Sequence, residues 1–238
     1  MASNALVAIG IVSAPLFFER RMGIRSSWLR WANVGRNAPI HVCFVVRAKD
    51  APLRLQQLLD AEATSYMDLL KISVNWNESR LKGPVLSLAA WLSHASRHYR
   101  STPFVAKMDD DAYLHAPDLE RLLRMAVGQR QSMLYLGKLA WFHWHPDIFE
   151  QEGFGWTYGQ AYESGRRCRN ATPPAVSAPC TGPFPFATGF LMLLSMRLAA
   201  SVVEGAQTDA RHLAQTSAVR KRSGELQNQV RPPFEPPF

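Results

Sequence analysis

Three adjacent carboxylates, Asp109, Asp110 and Asp111, close the apolar run Phe104 to Met108. Neighbouring like charges disfavour one another and are costly to gather in a dry site. A hard divalent cation removes that cost: Mg²⁺ or Mn²⁺ takes one or two carboxylates and completes its shell with substrate phosphates and water. Along an extended backbone alternate side chains face opposite ways, so Asp109 and Asp111 share one side and Asp110 takes the other. That leaves one pair free to address a metal and a phosphorylated ligand. A solvated, inert acidic turn is the alternative, but Phe104-Val105-Ala106-Lys107-Met108 is a poor introduction to a surface turn. The ligand spacing of a calcium-binding EF-hand loop is absent.

The elements that must position these acids follow from the apolar pattern. Leu6 to Val12, His41 to Val46, Phe104 to Met108 and Ser132 to Leu139 read as strands, the first being long enough and apolar enough for a buried parallel one. Helical spacing runs through Phe18 to Trp31, with Phe18, Met22, Arg25, Trp28 and Leu29 near one face, and through Leu53 to Leu70. Pro84 to Tyr99, Asp118 to Val127 and Met196 to Val203 are the remaining helices, and Phe190 to Ser195 is a further apolar segment. Strands alternating with helices predict an α/β fold with a mainly parallel central sheet flanked by helices. In such sheets ligands bind beyond the carboxyl ends of the strands, where the aspartates lie.

Bulk composition narrows the class. The chain has 238 residues, 47% of them hydrophobic and 19% charged, which suits one globular core rather than a disordered chain. A formal net charge of +8 favours anionic partners. Arg220, Lys221 and Arg222 read as a solvated cluster in a polar region, and no motif for nucleic-acid recognition accompanies the charge, so nucleic acid is not an expected partner. Three cysteines exclude a disulfide scaffold. Cys168 and Cys180 bracket a loop that allows one bridge, while Cys43 in its apolar run reads as a buried thiol. Asn77-Glu78-Ser79 and Asn170-Ala171-Thr172 fit the N-glycosylation pattern. No apolar stretch is long enough to span a bilayer, and Ala5 to Val12 reads as a first strand rather than a signal peptide, so the chain reads as a fragment that starts at its domain boundary.

Several blocks, in order, carry a resemblance. They are Ser13-Ala14-Pro15; Glu19 to Trp28, an Arg-Arg-x-x-Ile-Arg-x-x-Trp pattern; Glu62, Tyr66 and Asp68; Leu81-Lys82; Trp91; Phe104 to Tyr113; and Pro183 to Gly189, a turn with Phe190 to Ser195 as the strand behind it. Together they resemble the β-1,3-galactosyltransferase family, which also holds β-1,3-N-acetylglucosaminyltransferases and the Fringe proteins. The likeness covers about residues 5 to 200.

The resemblance implies a GT-A-like nucleotide-sugar-binding domain over residues 1–205, followed by a weakly structured or divergent tail, 206–238. It implies a metal-dependent, inverting transfer of galactose or an N-acetylhexosamine from a UDP-sugar to a glycan or glycoprotein hydroxyl, in β-1,3 linkage. Asp111, with Asp109, would bind Mn²⁺ or Mg²⁺; Asp109 and Asp110 would contact the ribose or sugar; Arg25 and Lys82 would face the donor. The alternative for Arg25 is packing on Trp28, and Arg20 and Arg21 read as solvated or structural charges. Golgi residence is also implied, with a membrane reached through an anchor outside this chain.

An inverting transfer needs a general base. The family's acidic motif after the Gly turn has no good counterpart here, and Asp209 is the nearest candidate; His212 is a weak match for a later histidine. Val74 and Trp76 depart from the pattern before Lys82. His143 and His145 read as part of an acceptor platform or core, with a metal role as the lesser alternative. A UDP-sugar-binding pseudoenzyme without the base is therefore the second expectation.

Overall fold

The first strand, β1 (Val7–Ser13), is flanked on one side by β2 (Ile40–Lys49) and on the other by β4 (Phe104–Asp109), all three parallel. This computed structural model describes residues 5–35, 38–79, 82–128, 133–144, 181–206 and 208. Between the strands lie α1 (Phe18–Ser26), a short 3₁₀ turn (Trp28–Arg30), α2 (Leu53–Tyr66), β3 (Leu69–Asn75) and α3 (Lys82–His98). After β4 come α4 (Ala116–Gly128), β5 (Tyr135–Trp144) and β6 (Thr181–Ser195). The six strands form one mixed sheet in the order β3-β2-β1-β4-β6-β5. Five run in one direction, β3-β2-β1-β4 as parallel neighbours, and β6 runs antiparallel to both β4 and β5. The expected α/β class, with a mainly parallel sheet flanked by helices, is what the chain adopts.

Alternation along β1 divides the core into two faces. Val7, Ile9 and Ile11 join Ile24, Trp28, Leu55, Leu59 and Leu123, so α1, α2 and α4 cover one face. The other face carries Gly10, which packs against Trp91 of α3. A Cβ at residue 10 would stand 2.5 Å from the indole ring, so glycine is required for that approach. The indole is fully buried and donates its N–H to the Ala106 carbonyl at 2.8 Å, which ties α3 to β4. Each fully buried Ile or Val of these strands contributes about 1.5–3 kcal/mol relative to exposure.

The structure revises several local expectations. Helical spacing does not carry through to Leu70: α2 stops at Tyr66, Met67 adopts a left-handed φ of 54°, and the chain turns into β3. Only Ile72 of β3 is buried, because β3 is the sheet's edge, so the strand lacks the continuous apolar run of β1. The expected helix to Trp31 breaks at Ser26. Its buried face is Arg21, Ile24 and, past the break, Trp28, whereas Phe18 is 40% exposed. A charged residue on the inner face shifted the apolar phase. The segment expected to turn over Pro183 to Gly189 is part of β6. There β6 pairs with β5 but not yet with β4, which it meets only from Leu191 onward, so prolines without N–H groups are tolerated.

The chain divides into two compact units, Met1–Ala200 and Ser201–Phe238. Within the first, β6 leads directly into helix at residues 196–200. Within the second, the described residues 201–206 and 208 are helical.

Candidate functional site

The pleat at the end of β4 sorts the three acids. Asp110 continues the face of Phe104, Ala106 and Met108, which is the face covered by α1 and α2. Its carboxylate is buried and has both oxygens engaged: Ser13 Oγ donates to Oδ2 at 2.7 Å and Arg20 Nη1 to Oδ1 at 2.9 Å. Ser13 is next to Asp110 because β1 and β4 run in register, Val12 opposite Asp109. Asp109 lies on the opposite face, beside Lys107, whose ammonium hydrogen-bonds its Oδ1 and also donates to the Gly189 carbonyl at 3.2 Å. Asp111 is the most open of the three, with its side chain 64% exposed.

Behind Asp110 runs a buried polar chain built by the consecutive blocks of α1 and α2. Arg21 is 1% exposed. It donates from Nη1 to Ser13 Oγ at 3.1 Å and to the Ala14 carbonyl at 2.8 Å, and from Nη2 to the Pro15 carbonyl at 3.2 Å. Its Nε and Nη2 form a fork on Glu62 at 2.8 and 2.6 Å. Two parallel charge-assisted bonds fix both orientation and distance. Glu62 in turn meets Arg25 Nη1 at 2.8 Å, and Arg25 grips Asp68 at 2.8 and 2.6 Å. The Arg25 guanidinium also lies over the rings of Tyr66 and Phe44, at 4.0 and 4.8 Å, and not over Trp28. Arg25 is therefore separated from Asp110 by Glu62, Arg21 and Ser13. It lines a pocket of about 740 Å³ with His41, Met67 and Asp68, and none of the three aspartates lines that pocket.

The electrostatics follow from this layout. Burial pushes the Asp109 carboxyl above its ordinary range; Lys107 opposes the shift, and Asp111 and Asp110 reinforce it. The Asp110 hydrogen bond and charge hold the Arg20 guanidinium above its usual value. Burial acts to lower Arg25, but the hydrogen bonds and charges of Asp68 and Glu62 outweigh it and leave Arg25 raised. Cys43 is buried, and burial pushes its thiol up to about 12, as a structural thiol should be.

Asp109 and Asp111 form an oxygen donor set that suits Mg²⁺ or Mn²⁺, ions that leave much of their shell to phosphate and water. Among the described residues no group of three His, Cys, Asp or Glu side chains forms a complete metal cage. A cation here would offset the burial, and with it the smaller like-charge cost, that raise Asp109.

Lys82 is exposed in the first turn of α3, its backbone N–H donating to Ser79 Oγ at 3.2 Å. Asn77 is exposed as well. Asp209, His145, His212, Cys168, Cys180 and Asn170 lie outside the described residues, and the side chain of His143 does too. The sequence reading did not bring Arg20 or Ser13 to the aspartates. These contacts span 90 and 97 residues, and the available signal was a polar residue ending β1 in register with β4.

Residues 19–219 match the family model described as Galactosyltransferase. The chain is 32% identical over 137 residues to the human UDP-GlcNAc:betaGal beta-1,3-N-acetylglucosaminyltransferase 8, a match covering 55% of this chain and 32% of that protein. It is 27% identical over 136 residues to mouse beta-1,3-galactosyltransferase 6, covering 57% and 41%. It is 26% identical over 122 residues to mouse N-acetyllactosaminide beta-1,3-N-acetylglucosaminyltransferase 4, covering 51% and 34%. The chain thus spans less than half the length of these curated relatives.

Proposed function

The chain belongs to the galactosyltransferase family, and on that premise we propose that it transfers galactose or an N-acetylhexosamine from a UDP-sugar to a hydroxyl of a glycan or glycoprotein. The observation that carries this reading is the division of labour at the end of β4. Asp110 is locked into the fold by Ser13, which Arg21 holds in turn, while Asp109 is partly buried against Lys107 and Asp111 stays open at the carboxyl edge of the sheet. An acid triplet serving only as a turn would not need one member clamped by a buried network.

In this reading Asp111, with Asp109, holds Mn²⁺ or Mg²⁺ against the donor diphosphate. The ion supplies charge neutralisation for the departing UDP. Lys107 keeps Asp109 oriented and partly compensated before donor arrives. Asp110 and Arg25 serve the donor through the Ser13–Arg21–Glu62 network that sets the position of β4's end, and Lys82 supplies a cation on the donor side. Relatives of this chain are named as β-1,3 transferases, which supports a β-1,3 linkage and, with it, an inverting course. The same reading places the activity in the Golgi lumen; no helix of the described residues is long and apolar enough to cross a membrane.

The test is UDP release from UDP-galactose and UDP-N-acetylglucosamine across a panel of glycan acceptors. Release that needs both acceptor and metal, and is lost in Asp111→Asn, is the expected result. Metal-dependent UDP binding with no release on any acceptor would leave a donor-binding protein without transfer. Neither binding nor release by the folded chain would sink the reading.

A further inference from the structure

We propose that Arg20 is a donor-binding residue: it caps the aspartate run while the site is empty and turns its free edge to the donor diphosphate once a metal ion takes Asp111. The inference rests on the proposed UDP-sugar reading and extends it to a residue expected to be solvated or structural. Arg20 Nη1 stands 2.9 Å from Asp110 Oδ1 and 3.7 Å from Asp111 Oδ2, so one guanidinium spans a locked acid and an open one. It supplies positive charge where a divalent ion would supply it. A cation arriving at Asp111 repels this guanidinium, and a diphosphate bound to that cation attracts it.

Three features distinguish Arg20 from its neighbour Arg21. Arg21 is buried, and all three of its guanidinium nitrogens are engaged by the fold. The Arg20 side chain is 47% exposed, and among the described residues only Nη1 makes a hydrogen bond, leaving Nε and Nη2 for a ligand. Its guanidinium carbon lies 4.4 Å from the Phe17 ring centroid, a contact that steadies the planar group while keeping its N–H edge free. Asp110 does not depend on Arg20 for its place, because Ser13 holds its other oxygen and Arg21 holds Ser13. Arg20 can leave without releasing the strand end. A planar fork of donors matches a phosphate in two-point fashion, which a lysine at this position would not reproduce.

The test compares wild type, Arg20→Ala and Arg20→Lys by calorimetry with two probes: Mn²⁺ alone, and UDP at saturating Mn²⁺. The two probes should respond in opposite directions. Removing Arg20 frees the carboxylates, so Arg20→Ala binds Mn²⁺ alone as well as wild type or a few-fold better. The same variant loses a charge-assisted contact to the diphosphate, so UDP binding weakens by about tenfold or more. Arg20→Lys recovers part of that loss. A cooperative melting transition in both variants, lowered only modestly by the lost Asp110 contact, checks the fold. Unchanged UDP affinity in Arg20→Ala overturns the proposal, and so does a parallel loss of Mn²⁺ and UDP binding, which would make Arg20 a support for the aspartates. Wild type that fails to bind UDP with Mn²⁺ refutes the donor reading itself and this inference with it, whereas wild-type binding that Arg20→Ala leaves intact refutes only the role of Arg20.

Discussion

Replacing Glu62 by glutamine removes one charge from the buried chain behind the aspartates while preserving shape. Glu62 is 5% exposed and accepts from Arg21 at 2.8 and 2.6 Å and from Arg25 at 2.8 Å. Breaking one partner of a buried pair costs about 3–5 kcal/mol, because the other charge is left uncompensated. Arg21 keeps Ser13 and two carbonyls, and Arg25 keeps Asp68, so the low end applies, about 3 kcal/mol. In a domain of this size that is a fall in melting temperature of roughly 6–12 °C. Urea unfolding followed by tryptophan fluorescence measures it, with the buried Trp28 and Trp91 as reporters. The pH dependence gives a second check. Burial acts to raise Glu62, but the hydrogen bonds and charges of Arg21 and Arg25 outweigh it and hold the carboxyl below its ordinary value. A depressed folded-state value means that the contribution is complete above the unfolded value, about 4.3, and is lost as pH falls through the folded one. The gap between wild type and Glu62→Gln should stay constant from neutral pH down to about 5 and close in stronger acid. A destabilisation under about 1 kcal/mol at neutral pH, well below the cost of breaking a buried pair, would refute the claim that this network holds the site.

Other consequences concern close approaches and burial. Gly10→Ala drives a methyl group to 2.5 Å from the Trp91 ring, which is pinned by its bond to Ala106, and should cost about 1–3 kcal/mol or more in urea unfolding. Gly189→Ala places a Cβ 2.1 Å from Asp109 Oδ2. The carboxylate can swing away, so melting should change little, while calorimetry should show Mn²⁺-dependent UDP binding weakened by about tenfold, one charge-assisted contact. The Cys43 thiol, raised by burial, should resist alkylation in the native protein at pH 8 by peptide mapping and react only on unfolding.

Where the sequence was legible, one physical term dominated. β1, β2 and β4 are buried on both faces, so their apolar runs stood out, and the acid triplet after β4 marked the carboxyl edge of the sheet. β3 was hidden because an edge strand buries little, and its Leu69 and Leu70 extend the apolar spacing of α2. The inner face of α1 was misread because Arg21 is buried through ion pairing, a tertiary fact that apolar spacing does not encode. The prolines of β6 read as a turn until its pairing partners were known. Arg25 pairs with Glu62 and Asp68, residues of the same ordered blocks, and spacing along the chain does not encode those contacts.

The central claim is a donor site completed by a metal ion at Asp111 and Asp109. Titrating UDP into the chain with Mn²⁺, and again with chelator, tests it most directly. The account predicts binding that needs Mn²⁺, vanishes with chelator and is lost in Asp111→Asn while the fold persists. UDP binding that ignores the metal, or that survives Asp111→Asn unchanged, would contradict it.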